Sequence, residues 1–156
     1  MYIRKNLLFY MLLCLLIIII DQASKWVILS NLHPNSVVNV FTGFNVVLVF
    51  NYGTSFGLLS PNTMYGTYCL IVMSLLLIVI LLIAFFKFKN SIEKIFLSML
   101  IGGAIANLID RILHGAVIDF IDLYYKNWHW PAFNIADISI TCSASCLIFY
   151  NLFKKN

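Results

Sequence analysis

Acidic side chains stand out in this chain of 156 residues, which is 62% hydrophobic and only 10% charged. Five of the six acids are aspartates beside or within apolar runs: Asp21, Asp110, Asp119, Asp122 and Asp137. A charged side chain at bilayer depth costs roughly 2.5–3.5 kcal/mol on insertion scales, so such residues must face one another or a wet cavity. Two carboxylates in a partly dry site share one proton and can activate a water molecule for hydrolysis. The aspartates therefore point to an aspartic-type hydrolytic site.

Asp119 and Asp137 are the two carboxylates that have no obvious basic partner nearby in the sequence. Asn134 is an expected N-cap, with its side chain placed to accept a hydrogen bond from the amide of Asp137. Simpler interpretations stay open, because an acidic residue is ordinary in the first turn of a helix and Asp119 fits a solvated loop. Asp122 is the better candidate for a plain surface charge.

Two further polar groups interrupt apolar helices. Asp21 and Lys25 are one helical turn apart and are expected to neutralise each other. Asn107, Asp110 and Arg111 occupy positions i, i+3 and i+4 and form one polar stripe. Asp110 and Arg111 can instead pair with each other or cap the helix, and Arg111 can be an anchor at the membrane surface.

Other catalytic chemistry finds little support. The four cysteines lie inside apolar runs and show neither metal-ligand spacing nor a disulfide framework. The three histidines include no H-x-x-x-H pair, so we expect no zinc and no other cofactor. No G-x-S-x-G motif occurs. Nothing in the chain suggests binding to nucleic acid.

Hydropathy predicts a single all-α membrane domain over residues 1–156 with four transmembrane helices, because the charged fraction lies far below the roughly 25% of soluble domains. The expected spans are residues 7–29, 65–86, 92–113 and 134–153, with outer loops at 30–64 and 114–133. The first loop is rich in Val and Phe with a break at Thr42-Gly43, which predicts a small β-hairpin or sheet. In the second loop, Phe120, Tyr124 and Trp128 recur every four residues, which predicts a short interfacial helix.

Basic residues predict the orientation. Seven of the ten lie on the side of the termini and of the loop between the second and third spans, so both termini are expected to be cytoplasmic. Five of the six acidic residues lie toward the other side, so the site is expected at the outer face.

Several separated motifs, in order along the chain, resemble those of the lipoprotein signal peptidases, also called type II signal peptidases. They are the D-Q-x-x-K motif in DQASK, the block NYGTSFGLL at 51–59, the block GGAIANLIDRILHGAVIDFID at 102–122, and FNIADISI at 133–140. The resemblance covers essentially the whole chain. It departs at Ala106, where many members have glycine, and at Thr54 and Ser55, where small apolar residues are common.

The resemblance implies a bacterial inner-membrane aspartic peptidase. We expect a monomer among membrane lipids. Its substrates would be diacylglyceryl prolipoproteins, cut just before the lipidated cysteine. By this resemblance Asp119 and Asp137 are the catalytic pair. Positions that bind substrate or shape the site correspond to Asn51, Gly53, Asn107, Arg111 and Asn134, and supporting positions to Asp21, Lys25 and Asp110.

A small proton-coupled membrane transporter is the alternative, since carboxylates within a membrane also mark ion pathways. That class predicts polar residues through the full depth of the bilayer. Here the cytoplasmic half of each span is almost purely apolar, as in residues 7–20 and 75–86, which favours a one-sided site. A structural assembly factor, the third class, would not need a pair of aspartates without basic partners.

Overall fold

The structure, a computed structural model, describes residues 2–53 and 64–154. The described chain contains four helices, α1 (Tyr2–Asn31), α2 (Met64–Lys87), α3 (Ser91–His114) and α4 (Ile135–Phe153). Each helix is long and apolar enough to cross a membrane, which confirms the predicted four-helix membrane fold. Thr54, Ser55 and the rest of the 51–59 block after Gly53 lie outside the described residues.

Helix α3 lies at the centre of the bundle, and α1, α2 and α4 pack against it. Most of α3 is therefore enclosed, whereas the other three helices expose large apolar side chains such as Leu76 and Phe149, as a lipid-facing surface requires. Two glycines of α3 permit this close packing. A Cβ on Gly102 would lie 2.9 Å from the backbone oxygen of Cys14, and one on Gly103 would lie 2.7 Å from that of Ala136.

A small antiparallel sheet covers the end of the bundle at which α3 ends and α4 begins. Its strands are β1 (Val37–Phe41), β2 (Phe44–Asn51), β3 (Val117–Tyr125) and β4 (Trp128–His129), in the order β1-β2-β3-β4. The turn between β1 and β2 falls at Thr42-Gly43, where Gly43 has φ +99°, so the predicted hairpin is confirmed.

The predicted short interfacial helix is wrong. The residues that suggested it, Phe120, Tyr124 and Trp128, belong to β3 and β4. A spacing of four residues brings side chains to one face of a helix, but it is also a multiple of two and so keeps them on one face of a strand. Pairing with β2 decides between the two, and the β-branched residues Val117, Ile118 and Ile121 suit a strand.

Candidate active site

Asn134 connects the two candidate catalytic carboxylates. It is the N-cap of α4, and its Oδ1 accepts a hydrogen bond from the backbone N–H of Asp137 at 2.9 Å, as the sequence predicted. Its own backbone N–H donates to Oδ2 of Asp137 at 3.3 Å, which completes a capping box. Its side-chain Nδ2 donates in the other direction, to Oδ1 of Asp119 at 2.7 Å. One buried amide therefore contacts both acidic residues.

The sheet determines where Asn134 and Asp119 lie. The backbone of Phe133 pairs with Ile121 of β3, and the Asn134 side chain also donates to the backbone oxygen of Ile118 at 3.2 Å. Asp119 is the third residue of β3, opposite Val49 of β2, and only 1% of its surface is exposed. The start of α4 is thus attached directly to the strand that carries the other carboxylate.

Asn51, at the end of β2, holds the second oxygen of Asp119. Its Nδ2 donates to Oδ2 of Asp119 at 2.9 Å, while its Oδ1 accepts from the backbone N–H of Gly53 at 2.9 Å. Gly53 has φ +75°, and a Cβ there would lie 2.6 Å from the Leu70 side chain. The positive φ favours glycine at this turn, and the turn orients Asn51.

Asn107 of α3 holds Asp137 in the way that Asn51 holds Asp119. Its Nδ2 donates to Oδ1 of Asp137 at 2.8 Å, and its Oδ1 accepts from Nζ of Lys25 at 3.2 Å. In Asn51, Asn107 and Asn134 alike, a donor occupies the amide oxygen, so the amide NH₂ must point toward a carboxylate.

A buried ionic cluster adjoins these amides. Nζ of Lys25 lies 2.6 Å from a carboxylate oxygen of Asp21 and 2.6 Å from one of Asp110. Each acid also accepts a backbone hydrogen bond from another element: Asp21 from Ala136 of α4 at 2.8 Å, and Asp110 from Ile118 of β3 at 3.1 Å. The expected Asp21–Lys25 pair is present, and it links α1 to the elements that carry the candidate catalytic acids.

Gln22 belongs to the same cluster, although sequence reasoning gave it no role. Its Nε2 donates to Asp110 at 2.8 Å and to the backbone oxygen of Ala106 at 3.2 Å. The sequence does contain a sign of this role, because Gln22 is a polar residue next to Asp21 within an otherwise apolar helix.

Arg111 lies half-buried between α3 and α2. Its Nη1 is 3.3 Å from the backbone oxygen of Asn107 and 3.4 Å from Oγ of Ser74. Asp110 pairs with Lys25, so the pairing of Asp110 with Arg111 considered above does not occur. Asp122, expected as a plain surface charge, is 8% exposed and accepts from Nδ2 of Asn45 at 2.8 Å. That expectation was wrong because the partner lies on another strand.

The surroundings of Asp119 change its protonation. Burial raises the pKa of Asp119 to about 7, and the negative charge of Asp137 acts in the same direction, against the hydrogen bonds from Asn51 and Asn134. The negative charge of Asp137 thus disfavours ionisation of Asp119. Within residues 2–53 and 64–154, no cluster of three or more His, Cys, Asp or Glu residues could hold a metal ion.

Four helices long and apolar enough to span a membrane, with two carboxylates connected through Asn134 at one end, fit a membrane-embedded enzyme of the aspartic peptidase type. A family model described as signal peptidase (SPase) II matches residues 13–153. The chain belongs to the signal peptidase II family and is a peptidase of the bacterial membrane.

Individual relatives agree with this family. A lipoprotein signal peptidase of Polynucleobacter necessarius is 39% identical over 96% of this chain and 93% of the relative. One of Blochmanniella pennsylvanica is 38% identical over 99% and 96%. A bacterial membrane enzyme solved by the in meso method at 1.9 Å resolution superposes with a TM-score of 0.81 at 30% identity, over 94% of each chain. These matches do not favour the transporter alternative.

Replacing Lys25 with Met is expected to destabilise the fold by about 3–5 kcal/mol, because it leaves Asp21 and Asp110 buried without a counter-charge. The free energy of unfolding in detergent micelles, from denaturant titration, measures the effect. Lys126→Met is the matched control, since Lys126 is exposed in the turn between β3 and β4 and its loss should change stability by less than about 0.5 kcal/mol. Equal stability of the two variants would show that the cluster does not support the fold.

Proposed function

We propose that this chain removes signal peptides from prolipoproteins, cutting immediately before a cysteine that carries diacylglycerol, with Asp119 and Asp137 as the catalytic pair. The substrate class is supported by the family and by relatives named as lipoprotein signal peptidases at 38–39% identity. The catalytic assignment depends on one observation: the Asn134 side chain bonds to Asp119 and also to the backbone of Asp137. That contact supports the assignment, because it connects two acidic residues from separate elements.

The two acids take different roles in this proposal because their environments differ. Asp119 is buried, and its pKa near 7 leaves it partly protonated at neutral pH. Asp137 is half-buried at the start of α4, where a carboxylate interacts favourably with the helix dipole. We assign the shared proton to Asp119 and the ionised, water-activating role to Asp137.

The reaction then follows from general acid–base chemistry. Asp137 removes a proton from a water molecule as the water oxygen bonds to the scissile carbonyl carbon. Asp119 donates its proton to the carbonyl oxygen, which gives a neutral tetrahedral intermediate. The C–N bond then breaks, the leaving amine takes the proton that Asp137 acquired, and the carbonyl oxygen returns its proton to Asp119. Both acids thereby recover their initial states.

The surrounding residues support this chemistry without taking part in bond breaking. Asn51 and Asn107 fix the planes of the two carboxylates through their hydrogen bonds. Arg111, bonded to the backbone of Asn107, places a positive charge close to Asp137. All of these residues come from one chain, which supports a monomer as the active form, with membrane lipid around the bundle.

We further propose that the chain lies in the inner membrane with its termini in the cytoplasm and the catalytic pair facing outward. The basic residues near the termini support this orientation. A membrane-impermeant maleimide applied to intact spheroplasts should label Lys126→Cys and should not label Lys89→Cys. The parent chain gives the background labelling. Labelling of position 89 alone would show that the chain has the opposite orientation.

Replacing either acid with its amide is expected to abolish turnover. Asp119→Asn and Asp137→Asn each remove a proton-transfer group, and such groups contribute roughly 10²–10⁴-fold to rate. The measurement is cleavage of a synthetic diacylglyceryl lipopeptide by purified protein, with circular dichroism to verify folding. Asp122→Asn is the control. The side chain of Asp122 is hydrogen-bonded to Asn45 and His129 of the sheet and takes no part in the proposed catalytic contacts. Normal turnover by a folded Asp119→Asn or Asp137→Asn protein would refute the assignment of these residues as the catalytic pair.

The raised pKa of Asp119 predicts a pH dependence with a definite sign. Folded Asp119 keeps its proton up to about pH 7, while the unfolded chain loses it near pH 4, so its contribution to stability falls as pH rises between these values. Turnover should decline above about pH 7 as the shared proton is lost.

Asp119→Asn cannot ionise, so its unfolding temperature should rise relative to the parent across the same pH interval. The measurement is thermal unfolding of both proteins from pH 4 to pH 8, with Asp122→Asn in parallel. A difference between Asp119→Asn and the parent that stays constant with pH would contradict the raised pKa.

A further inference from the structure

A groove runs between α1 and α2 in the half of the bundle away from the carboxylate pair. It encloses about 540 Å³, and α3 forms its floor. Its walls are almost entirely apolar and include Met11, Leu15, Ile18, Leu82, Ile101 and Ile105. A groove with such walls on the outside of a membrane protein suits a hydrocarbon chain.

A second cavity of about 220 Å³ adjoins the groove at the end where α3 begins. The two cavities share Leu7, Tyr10, Phe85 and Phe86 as lining residues, so they lie side by side, and together we call them the recess. The second cavity adds polar groups that the first lacks: Lys89, Ser91 and Lys94. The recess is therefore apolar along its length and cationic at one end.

The two lysines are available to bind an anion. Lys154 pairs with the neighbouring acid, Glu93, at 2.9 Å, and Glu93 is buried. Within the described part of the chain, neither Lys89 nor Lys94 forms a salt bridge. The ammonium of Lys94 lies 5.1 Å from the centre of the Phe85 ring, which places this charge over the wall of the recess.

We propose that this recess binds an anionic phospholipid. Its acyl chain would lie between α1 and α2, and its phosphate would lie between Lys89 and Lys94, with the hydroxyl of Ser91 as a further donor. Charge complementarity selects the ligand, because the two lysines at the polar end have no acidic partner among the described residues. A zwitterionic lipid would fill the apolar part but would bring its own cation to the lysines.

This site is separate from the proposed catalytic pair. Lys94 and Asp110 are sixteen residues apart on α3, which corresponds to about 24 Å at a rise of 1.5 Å per residue. The bound lipid would lie against Tyr10 of α1 and Phe85 of α2, whose rings meet with centroids 5.4 Å apart. It would therefore lie over the contact that these two rings make between α1 and α2.

Native mass spectrometry can test the proposal on the full chain released from nanodiscs that contain equal amounts of phosphatidylglycerol and phosphatidylcholine with identical acyl chains. We expect the parent chain to retain phosphatidylglycerol at least about fivefold over phosphatidylcholine, since each lysine near an anionic headgroup contributes roughly a fivefold preference. Lys89→Gln/Lys94→Gln should reduce this ratio to about one. Lys87→Gln/Lys126→Gln removes the same charge outside the recess and should keep the parent ratio.

A second variant tests the apolar part. Leu15→Trp fills the groove from an exposed position of α1 and should lower the retention of both lipids severalfold while the protein stays folded. Equal retention of the two lipids by the parent chain would overturn the proposal. So would an equal loss of preference in the Lys87→Gln/Lys126→Gln control, or unchanged retention in Leu15→Trp.

Discussion

The hydrocarbon interior of a bilayer offers no hydrogen-bond partner to a buried polar group, and this constraint shapes the whole site. Nζ of Lys25 lies 2.6 Å from a carboxylate oxygen of Asp21 and of Asp110, and its third bond goes to the amide oxygen of Asn107. Because the oxygen of the Asn107 amide faces Lys25, its NH₂ group faces the other way and donates to Asp137. Satisfying one buried cation thus determines the direction of a hydrogen bond to a proposed catalytic acid.

The same rule operates twice more near the proposed catalytic pair. The backbone N–H of Gly53 occupies the oxygen of Asn51, and the backbone N–H of Asp137 occupies the oxygen of Asn134. Both asparagines then donate to Asp119, one to each carboxylate oxygen. Side-chain amides hold the acids in place without adding charge, so mutual repulsion and burial can still keep one proton on the pair.

Much of the fold could be predicted from local sequence, because the features involved are local. Four apolar stretches specify four helices, the spacing of Asp21 and Lys25 specifies their contact, and Asn134 is recognisable as an N-cap. The strand around Phe120 was not predictable in this way, because a four-residue spacing fits a helix and a strand equally well.

Contacts between segments that are distant in the chain could not be predicted from the sequence either. The bond between Lys25 and Asp110 and the burial of Asp122 against Asn45 depend on how separate elements pack, and no periodicity encodes such packing. The family resemblance identified Asp119 and Asp137 as a pair. Only the structure provides a physical connection between them, through Asn134.

The proposed mechanism depends on a direct charge interaction between the carboxyl groups of Asp119 and Asp137. The most direct measurement is carbon-13 NMR of protein labelled at the aspartate carboxyl carbons, following the titration of Asp119 in the parent chain and in Asp137→Asn. Asp119 should titrate near pH 7 in the parent and at a lower pH in the variant, because the repelling charge is gone. The same pKa for Asp119 in both proteins would show that the two carboxyl groups do not act as a pair.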